Sequence, residues 1–126
     1  HEVTLGIDFT ARDIQDQLKK KGLPWEKAKA FDHSAAVGEF VPWESISNPA
    51  DIHFTFLKNG ELVQEGFTKD MLFSINEIIE HVSEYFTLNI GDLIFTGTPA
   101  GVGECVTTDH FEALLEGKKL LEVEIR

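Results

Sequence analysis

The chain has 126 residues, of which 42% are hydrophobic and 26% charged, a composition that supports one folded domain and disfavours disorder. Its 22 acidic residues outnumber its 11 basic ones, and the net charge of −11 disfavours nucleic-acid binding through a basic face. No apolar run approaches the ~20 residues that span a bilayer, and the lone Cys105 excludes an internal disulfide and a multi-cysteine zinc site. We therefore expect a cytoplasmic protein that binds neither nucleic acid nor membrane.

The first predicted elements are a strand and a helix. Residues 2–9 alternate between apolar and polar side chains, which predicts a strand. Thr10 and Asp13 have the spacing of a capping box, so we expect a helix to begin there and to end at Gly22. The face of this helix that we expect to pack inward carries Ala11, Ile14 and Leu18.

The middle of the chain predicts an irregular segment followed by a hairpin. Residues 23–51 contain three prolines and show no clear periodicity, and irregular segments of that length are often functional. Residues 53–57 and 62–67 flank Asn59-Gly60, a dipeptide typical of type I′ turns.

The last third predicts a helix, a short strand and a second hairpin. Ser74 and Glu77 form another capping box, and an apolar stripe follows from Ile75 to Phe86. Residues 93–95 predict a short buried strand, and the glycine-rich residues 96–103 predict an irregular loop. A hairpin turning at residues 116–118 should face inward with Leu121, Val123 and Ile125. These elements together predict a strand-dominated α+β fold.

Several polar side chains follow the first predicted strand. Asp8 lies at its end, and Arg12 and Gln15 are three residues apart on the helix, so they project to the same side. A carboxylate, a guanidinium and an amide in this arrangement can hold a metal ion and an anionic ligand together. The alternative is that Arg12 pairs with Asp16 or Asp8 on a solvated face.

Two further features can bind an anion. Lys29 lies between small and aromatic neighbours, so we expect it to be half-buried and able to hold a carboxylate, although a surface lysine is the alternative. The loop at 96–103 offers a threonine hydroxyl and close backbone approach, but a tight structural turn explains its glycines equally well. The histidines lack metal-ligand spacing, and Cys105 has no evident histidine partner.

Taken together, these segments resemble the fumarylacetoacetate hydrolase family, in particular its acylpyruvate hydrolase, oxaloacetate decarboxylase and 2-hydroxyhepta-2,4-diene-1,7-dioate isomerase members. The matching stretches, in chain order, are residues 6–15 (GIDFTARDIQ), 20–25 (KKGLPW), 28–31 (AKAF), 59–61 (NGE), 64–66 (QEG), 91–92 (GD) and 96–103 (TGTPAGVG).

The resemblance implies a mixed β-sandwich roll, a homodimer and a bound Mg²⁺ or Mn²⁺. Residue by residue, it implies that Asp8 is a metal ligand, that Lys29 is catalytic, and that Arg12, Gln15, Lys29 and Thr98 bind the substrate. A metal-chelated keto acid would form an enolate on C–C cleavage or decarboxylation, and Lys29 and Arg12 would stabilise its oxyanion.

One departure from the family pattern concerns the other metal ligands. The family has a Glu-x-Glu pair and a lid with a catalytic His/Glu pair upstream of this aspartate, and His1-Glu2 falls in the wrong place to replace them. We therefore expect residues 1–126 to be a single catalytic-type domain that lacks an N-terminal segment and is inactive alone.

The resulting prediction is a metal-dependent enzyme for small 2,4-diketo or β-keto carboxylic acids, acting by C–C hydrolysis or decarboxylation. A dienedioate isomerase in aromatic catabolism is the alternative within the family, because fold and core motifs host both. A catalytically silent binding or scaffold fragment is the alternative from another class.

Overall fold

The computed structural model describes residues 2–126, and His1 lies outside the described residues. Its strands are β1 (Glu2–Val3), β2 (Gly6–Asp8), β3 (Ala35–Val37), β4 (Val41–Pro42), β5 (His53–Lys58), β6 (Glu61–Phe67), β7 (His110–Leu115) and β8 (Lys118–Glu124). Its helices are α1 (Arg12–Lys20), α2 (Glu26–Lys29) and α3 (Ile75–Ser83), with 3₁₀ turns at Trp43–Ser45 and Thr68–Asp70. The expected strand-dominated α+β fold is confirmed.

The largest sheet of the described residues is antiparallel and four-stranded, in the order β6-β5-β7-β8. Its buried cluster consists of Ile52, Leu115 and Leu120. Partly buried side chains from the first half of the chain pack against that cluster, namely Val3, Leu5, Val41, Trp43, Ile46 and Phe54. The N-terminal strands are therefore tied to the sheet by apolar burial, the main favourable term in folding.

Both predicted hairpins are confirmed. Asn59 and Gly60 have φ values of 53° and 82°, as a type I′ turn requires, and they join β5 to β6. Glu116 and Gly117, with φ values of 48° and 79°, join β7 to β8. A register shift opposite Leu114 lets two consecutive residues of β8, Leu120 and Leu121, both be buried.

The prediction of one continuous strand over residues 2–9 is wrong, because the structure has two short strands there. The segment breaks into β1, which pairs with β4, and β2, which pairs with β3. Both partners come from residues 23–51, so the segment expected to be irregular supplies α2, β3 and β4. Its short strands escaped a search for periodicity because two or three residues establish no pattern.

Helix α3 begins as predicted. Ser74 Oγ accepts from the Glu77 amide at 3.3 Å, and Glu77 Oε2 accepts from the Ser74 amide at 2.7 Å, which completes the capping box. The apolar stripe of this helix is only partly covered, since Ile79 and Phe86 are exposed.

Two other predictions are wrong. Residues 93–95 form no strand, and Leu93 and Phe95 are exposed, because no strand among residues 2–126 pairs with them. On α1 the buried residue is Gln15, and Ile14 is exposed, because the helix turns Gln15 toward the rest of the molecule. Among the described helices, none has the length and apolar character needed to cross a membrane.

Candidate active site

The candidate active site begins where β2 ends. Asp8 is the last residue of β2 and lies opposite Ala35 of β3. The Phe9 amide donates to the Ser34 carbonyl at 2.8 Å, so the backbone directly after Asp8 is also held. Nearly half of the Asp8 side chain is exposed to solvent. The strand end therefore presents a carboxylate on a fixed backbone.

Helix α2 brings Lys29 to this carboxylate. The Ala28 carbonyl accepts a hydrogen bond from the Ala11 amide at 3.0 Å, which joins the end of α2 to the start of α1, and Ala28 is fully buried. Lys29 Nζ then lies 2.5 Å from Asp8 Oδ2 and 2.8 Å from Thr10 Oγ1. The side chain is 32% exposed, so the expected half-burial of Lys29 is confirmed.

An ammonium group has three N–H donors, and these two contacts account for two of them. Since a third of the side chain is open to solvent, the remaining N–H of Lys29 is available to an oxygen atom of a ligand. The site thus holds a positioned cation within a chain whose net charge is −11.

The capping box predicted at Thr10 and Asp13 is wrong. The residue at the N-cap of α1 is Ala11, and no side chain caps this helix. The Thr10 hydroxyl instead accepts the hydrogen bond from Lys29. The Thr10 hydroxyl can either cap α1 or bond to a side chain from a distant helix. Sequence spacing indicates the cap but cannot indicate the distant partner.

Arg12 and Gln15 are in contact, as their spacing on α1 predicts. Arg12 Nη1 donates to Gln15 Oε1 at 2.8 Å, and Gln15 is only 4% exposed. The alternative pairing of Arg12 with Asp8 or Asp16 is not observed, and Asp8 pairs with Lys29 instead. A buried amide therefore orients an exposed guanidinium that keeps several donors free.

The loop at residues 96–103 carries Thr98 and lies against β6. Gln64 Nε2 lies 2.9 Å from Thr98 Oγ1, 3.1 Å from the Pro99 carbonyl oxygen and 3.4 Å from the Ala100 carbonyl oxygen. Gln64 lies in one of the matching stretches, but the sequence did not predict its contact with Thr98. No motif links a glutamine on a strand to a loop 34 residues away.

A second cluster fixes the C-terminal end of this loop. Lys58 Nζ donates to the Glu104 carbonyl at 2.8 Å and lies 2.8 Å from Asp109 Oδ2, which also accepts from the Val106 amide at 2.7 Å. The pKa of Asp109 is lowered to about 2, first by Lys58 and then by the Val106 amide and Asn59. Asp109 is buried, so this anion is built into the fold.

The Asp8–Lys29 group and the Thr98–Gln64 group share no hydrogen bond within residues 2–126. One apolar contact connects their neighbourhoods: the Phe95 ring packs so closely on Gly6 of β2 that a Cβ built there would lie 2.7 Å from it. Phe95 precedes Thr98 by three residues, and Gly6 precedes Asp8 by two, so the loop starts beside the strand that ends in Asp8.

A metal site is not complete in this part of the chain. Residues 2–126 contain no group of three His, Cys, Asp or Glu side chains that could hold a metal ion. Mg²⁺ accepts one or two carboxylates together with water and substrate oxygens. Asp8 can supply one such ligand, but its Oδ2 already binds Lys29, so the described residues do not fit a whole metal centre.

Comparison with known proteins places this geometry in a family. The family model described as Fumarylacetoacetate (FAA) hydrolase C-terminal matches residues 2–126. The chain belongs to this family, and the expected resemblance is confirmed.

The curated relatives are longer than this chain. Over 113 residues, the chain is 52% identical to "Oxaloacetate tautomerase FAHD1, mitochondrial" of Rattus norvegicus, covering 90% of this chain and 51% of the relative. The chain thus spans about half the length of the curated relatives it matches.

Two of the solved structures that share this fold illustrate its range of activities. A fumarylpyruvate hydrolase from Pseudomonas aeruginosa in complex with Mn²⁺ and pyruvate superposes with a TM-score of 0.90 and 34% identity, over 97% of this chain and 52% of that one. A 5-carboxymethyl-2-hydroxymuconate delta-isomerase from Mycobacterium smegmatis superposes with a TM-score of 0.84 and 33% identity, over 97% of this chain and 46% of that one. Members of the family thus include a tautomerase, a hydrolase and an isomerase.

Proposed function

We propose that this chain is the part of an enzyme that binds a small 2,4-diketo or β-keto carboxylic acid and stabilises its enolate. The observation that carries the proposal is the Lys29 ammonium, held by Asp8 and Thr10 with one N–H donor left for a ligand oxygen. Membership of a family whose relatives act on oxaloacetate or fumarylpyruvate supports this substrate class.

Each side chain has a distinct role in the proposal. Arg12, oriented by Gln15, and the Thr98 hydroxyl bind the substrate carboxylates, and guanidinium groups suit this task because they present paired donors. Lys29 is the catalytic residue and donates to the oxygen that becomes the enolate. A fixed cation at that position stabilises charge that develops during the reaction, without reorganisation of solvent.

The possible reactions all form an enolate with its negative charge at the C2 oxygen. In decarboxylation, the bond to the leaving carboxylate breaks and CO₂ departs; the electron pair of that bond forms the C2=C3 double bond, and the carbonyl π pair moves to the C2 oxygen. In C–C hydrolysis, water adds to the distant carbonyl, the bond between that carbon and C3 breaks, the acyl group leaves as a carboxylic acid, and the same enolate remains. In tautomerisation or isomerisation, a base takes a proton from carbon or from the enol oxygen, which leaves an enolate, and the proton then returns to the other atom. We expect oxaloacetate to be the best first substrate, because relatives at about 50% identity are named oxaloacetate tautomerases.

We also propose that the whole protein depends on a divalent cation, Mg²⁺ or Mn²⁺, to which Asp8 contributes one ligand. The Mn²⁺ in the solved fumarylpyruvate hydrolase supports this proposal. Residues 1–126 would then be one catalytic-type domain that requires an N-terminal segment for its other ligands. A cytoplasmic location and a homodimer stay predictions.

A substrate panel tests the function. The whole protein, with Mg²⁺ supplied, is assayed for enol–keto conversion of oxaloacetate by ultraviolet absorbance, for decarboxylation of oxaloacetate, for hydrolysis of acetylpyruvate and for isomerisation of the dienedioate. Turnover of one of these, with loss on chelation, supports the proposal and selects the reaction. No turnover of any of them favours the alternative of a silent binding or scaffold fragment.

A further inference from the structure

We propose that Gln64 is a positioning residue, which turns the Thr98 hydroxyl so that its hydrogen is free for the substrate carboxylate. The inference rests on the proposed function and adds to it a residue outside the family roles assigned above. It depends on three contacts made by one amide group and on the backbone packing beside it.

The orientation of the Gln64 amide follows from its surroundings. Two of the atoms near its nitrogen are the carbonyl oxygens of Pro99 and Ala100, which only accept hydrogen bonds. The NH₂ end must therefore face the loop. Because it also donates to Thr98 Oγ1 at 2.9 Å, the threonine oxygen is an acceptor in that contact.

This contact determines which hydrogen-bonding groups of the Thr98 hydroxyl remain free for a ligand. A hydroxyl has one hydrogen and two lone pairs, and Gln64 occupies one lone pair. The Thr98 hydrogen thus remains available to a carboxylate oxygen, an acceptor that strengthens hydrogen bonds through its charge. Without Gln64, the hydroxyl can rotate toward a loop carbonyl and lose this availability.

The strand that carries Gln64 also contacts the loop through its backbone. Gln64 lies opposite Phe56 in the register of β5 and β6, near the middle of β6. Its neighbour Val63 contacts the same loop, because a Cβ built on Gly101 would lie 2.1 Å from the Val63 carbonyl oxygen. Two consecutive strand residues therefore hold four consecutive loop residues, 98–101, as a support for Thr98 requires.

The test uses Gln64→Met and Gln64→Glu in the whole protein, with Glu65→Gln as the matched control. Glu65 is the next residue on β6, and its side chain bonds to His53 instead of the loop. We expect Gln64→Met to raise KM for oxaloacetate by about 10-fold, the scale of one hydrogen bond to a charged group, with kcat changed by less than about 3-fold. The control should keep both constants.

Gln64→Glu gives a pH-dependent test of whether a hydrogen-bond donor is required at this position. Its carboxylate would face three oxygen atoms, so we expect a KM increase larger than that of Gln64→Met at pH 7. Protonation restores one donor, so the ratio of mutant to wild-type KM should fall as the pH is lowered toward the ordinary glutamic acid pKa of about 4.3.

A double-mutant cycle with Thr98→Val separates action through Thr98 from a general effect. If Gln64 acts through the hydroxyl, Gln64→Met should add little to the KM defect of Thr98→Val. Additive defects, or a normal KM for Gln64→Met in an active enzyme, would overturn the inference and leave the proposed function standing. A wild-type protein without turnover of any 2-oxo acid would overturn both.

Discussion

The backbone of the loop that carries Thr98 can be displaced by adding one methyl group at Gly101. This glycine has a φ of +104°, and a Cβ placed on it would lie 2.1 Å from the Val63 carbonyl oxygen. The atom that this Cβ would meet is a backbone oxygen, so no flexible side chain can move aside to relieve the clash. Gly101→Ala must therefore change the path of the loop.

The size of the effect follows from the geometry. Real Cβ atoms essentially never approach closer than 3.0 Å, so the methyl group must retreat from 2.1 Å by about 1 Å. The strained φ adds about 1–3 kcal/mol of destabilisation, or is relieved by the same movement. A misplacement of about 1 Å in substrate-positioning groups costs roughly 100-fold in rate, and we expect kcat/KM for oxaloacetate to fall on that scale.

Two other glycines of the loop provide matched controls. Gly97 also has a positive φ, +115°, but nothing lies within 4 Å of its Cβ position. Gly103 has an open Cβ position as well, and its φ is not in the positive range. We expect the loss of kcat/KM to follow the order Gly101→Ala, Gly97→Ala, Gly103→Ala. Steady-state kinetics on the whole protein measure this, with thermal unfolding to confirm folding. Equal activity of a folded Gly101→Ala and Gly103→Ala would refute the reasoning.

Three further predictions concern stability and metal binding. The folded pKa of Asp109 is about 2 against an ordinary 3.8, so its carboxylate stabilises the fold above pH 3.8, and that contribution should disappear as the pH falls toward 2. Urea midpoints measured across this range should therefore converge for wild type and Asp109→Asn, and a constant difference would contradict the assignment. Ser74→Ala removes the cap of α3 and should cost about 1 kcal/mol in urea unfolding, whereas Ser47→Ala on an exposed loop should cost little. Calorimetry on residues 1–126 alone should detect no tight Mg²⁺ binding, and a micromolar dissociation constant would contradict the incomplete metal site.

Local rules predicted the parts of the fold that local interactions determine. The Asn59-Gly60 turn and the Ser74–Glu77 capping box are both formed by residues close in sequence, and both are confirmed. The turn at Glu116 and Gly117 was found in the same way. In each case the rule needs only residues close in sequence, although Asn59 and Glu116 also bond to distant residues, namely Asp109, His110 and His53.

Distant partners explain what the local rules missed. Thr10 has the spacing of a cap, but its hydroxyl is taken by Lys29, 19 residues away. Residues 93–95 have the composition of a strand, yet no strand among residues 2–126 pairs with them. A strand needs a partner for its backbone groups, and sequence patterns do not state whether one is present.

In the candidate site, too, the sequence predicted local contacts and missed contacts between distant residues. The contact of Arg12 with Gln15 follows from helical spacing, and the half-burial of Lys29 follows from its neighbours. Lys29 and Asp8 are in contact although they are 21 residues apart in the chain. The family resemblance identified each of them as a site residue, but it did not predict this contact. Gln64 had neither a spacing rule nor an assigned role, and only the packing of the loop on β6 reveals it.

The catalytic role of Lys29 is the central claim, and kcat of Lys29→Ala in the whole protein tests it most directly. Lys27→Ala is the control, because Lys27 lies on the same short helix and is exposed. We predict that Lys29→Ala lowers kcat for oxaloacetate by roughly 100-fold or more, as expected for the loss of an electrostatic contact to the transition state, while Lys27→Ala stays near wild type. A folded Lys29→Ala enzyme with near-normal kcat would contradict the account.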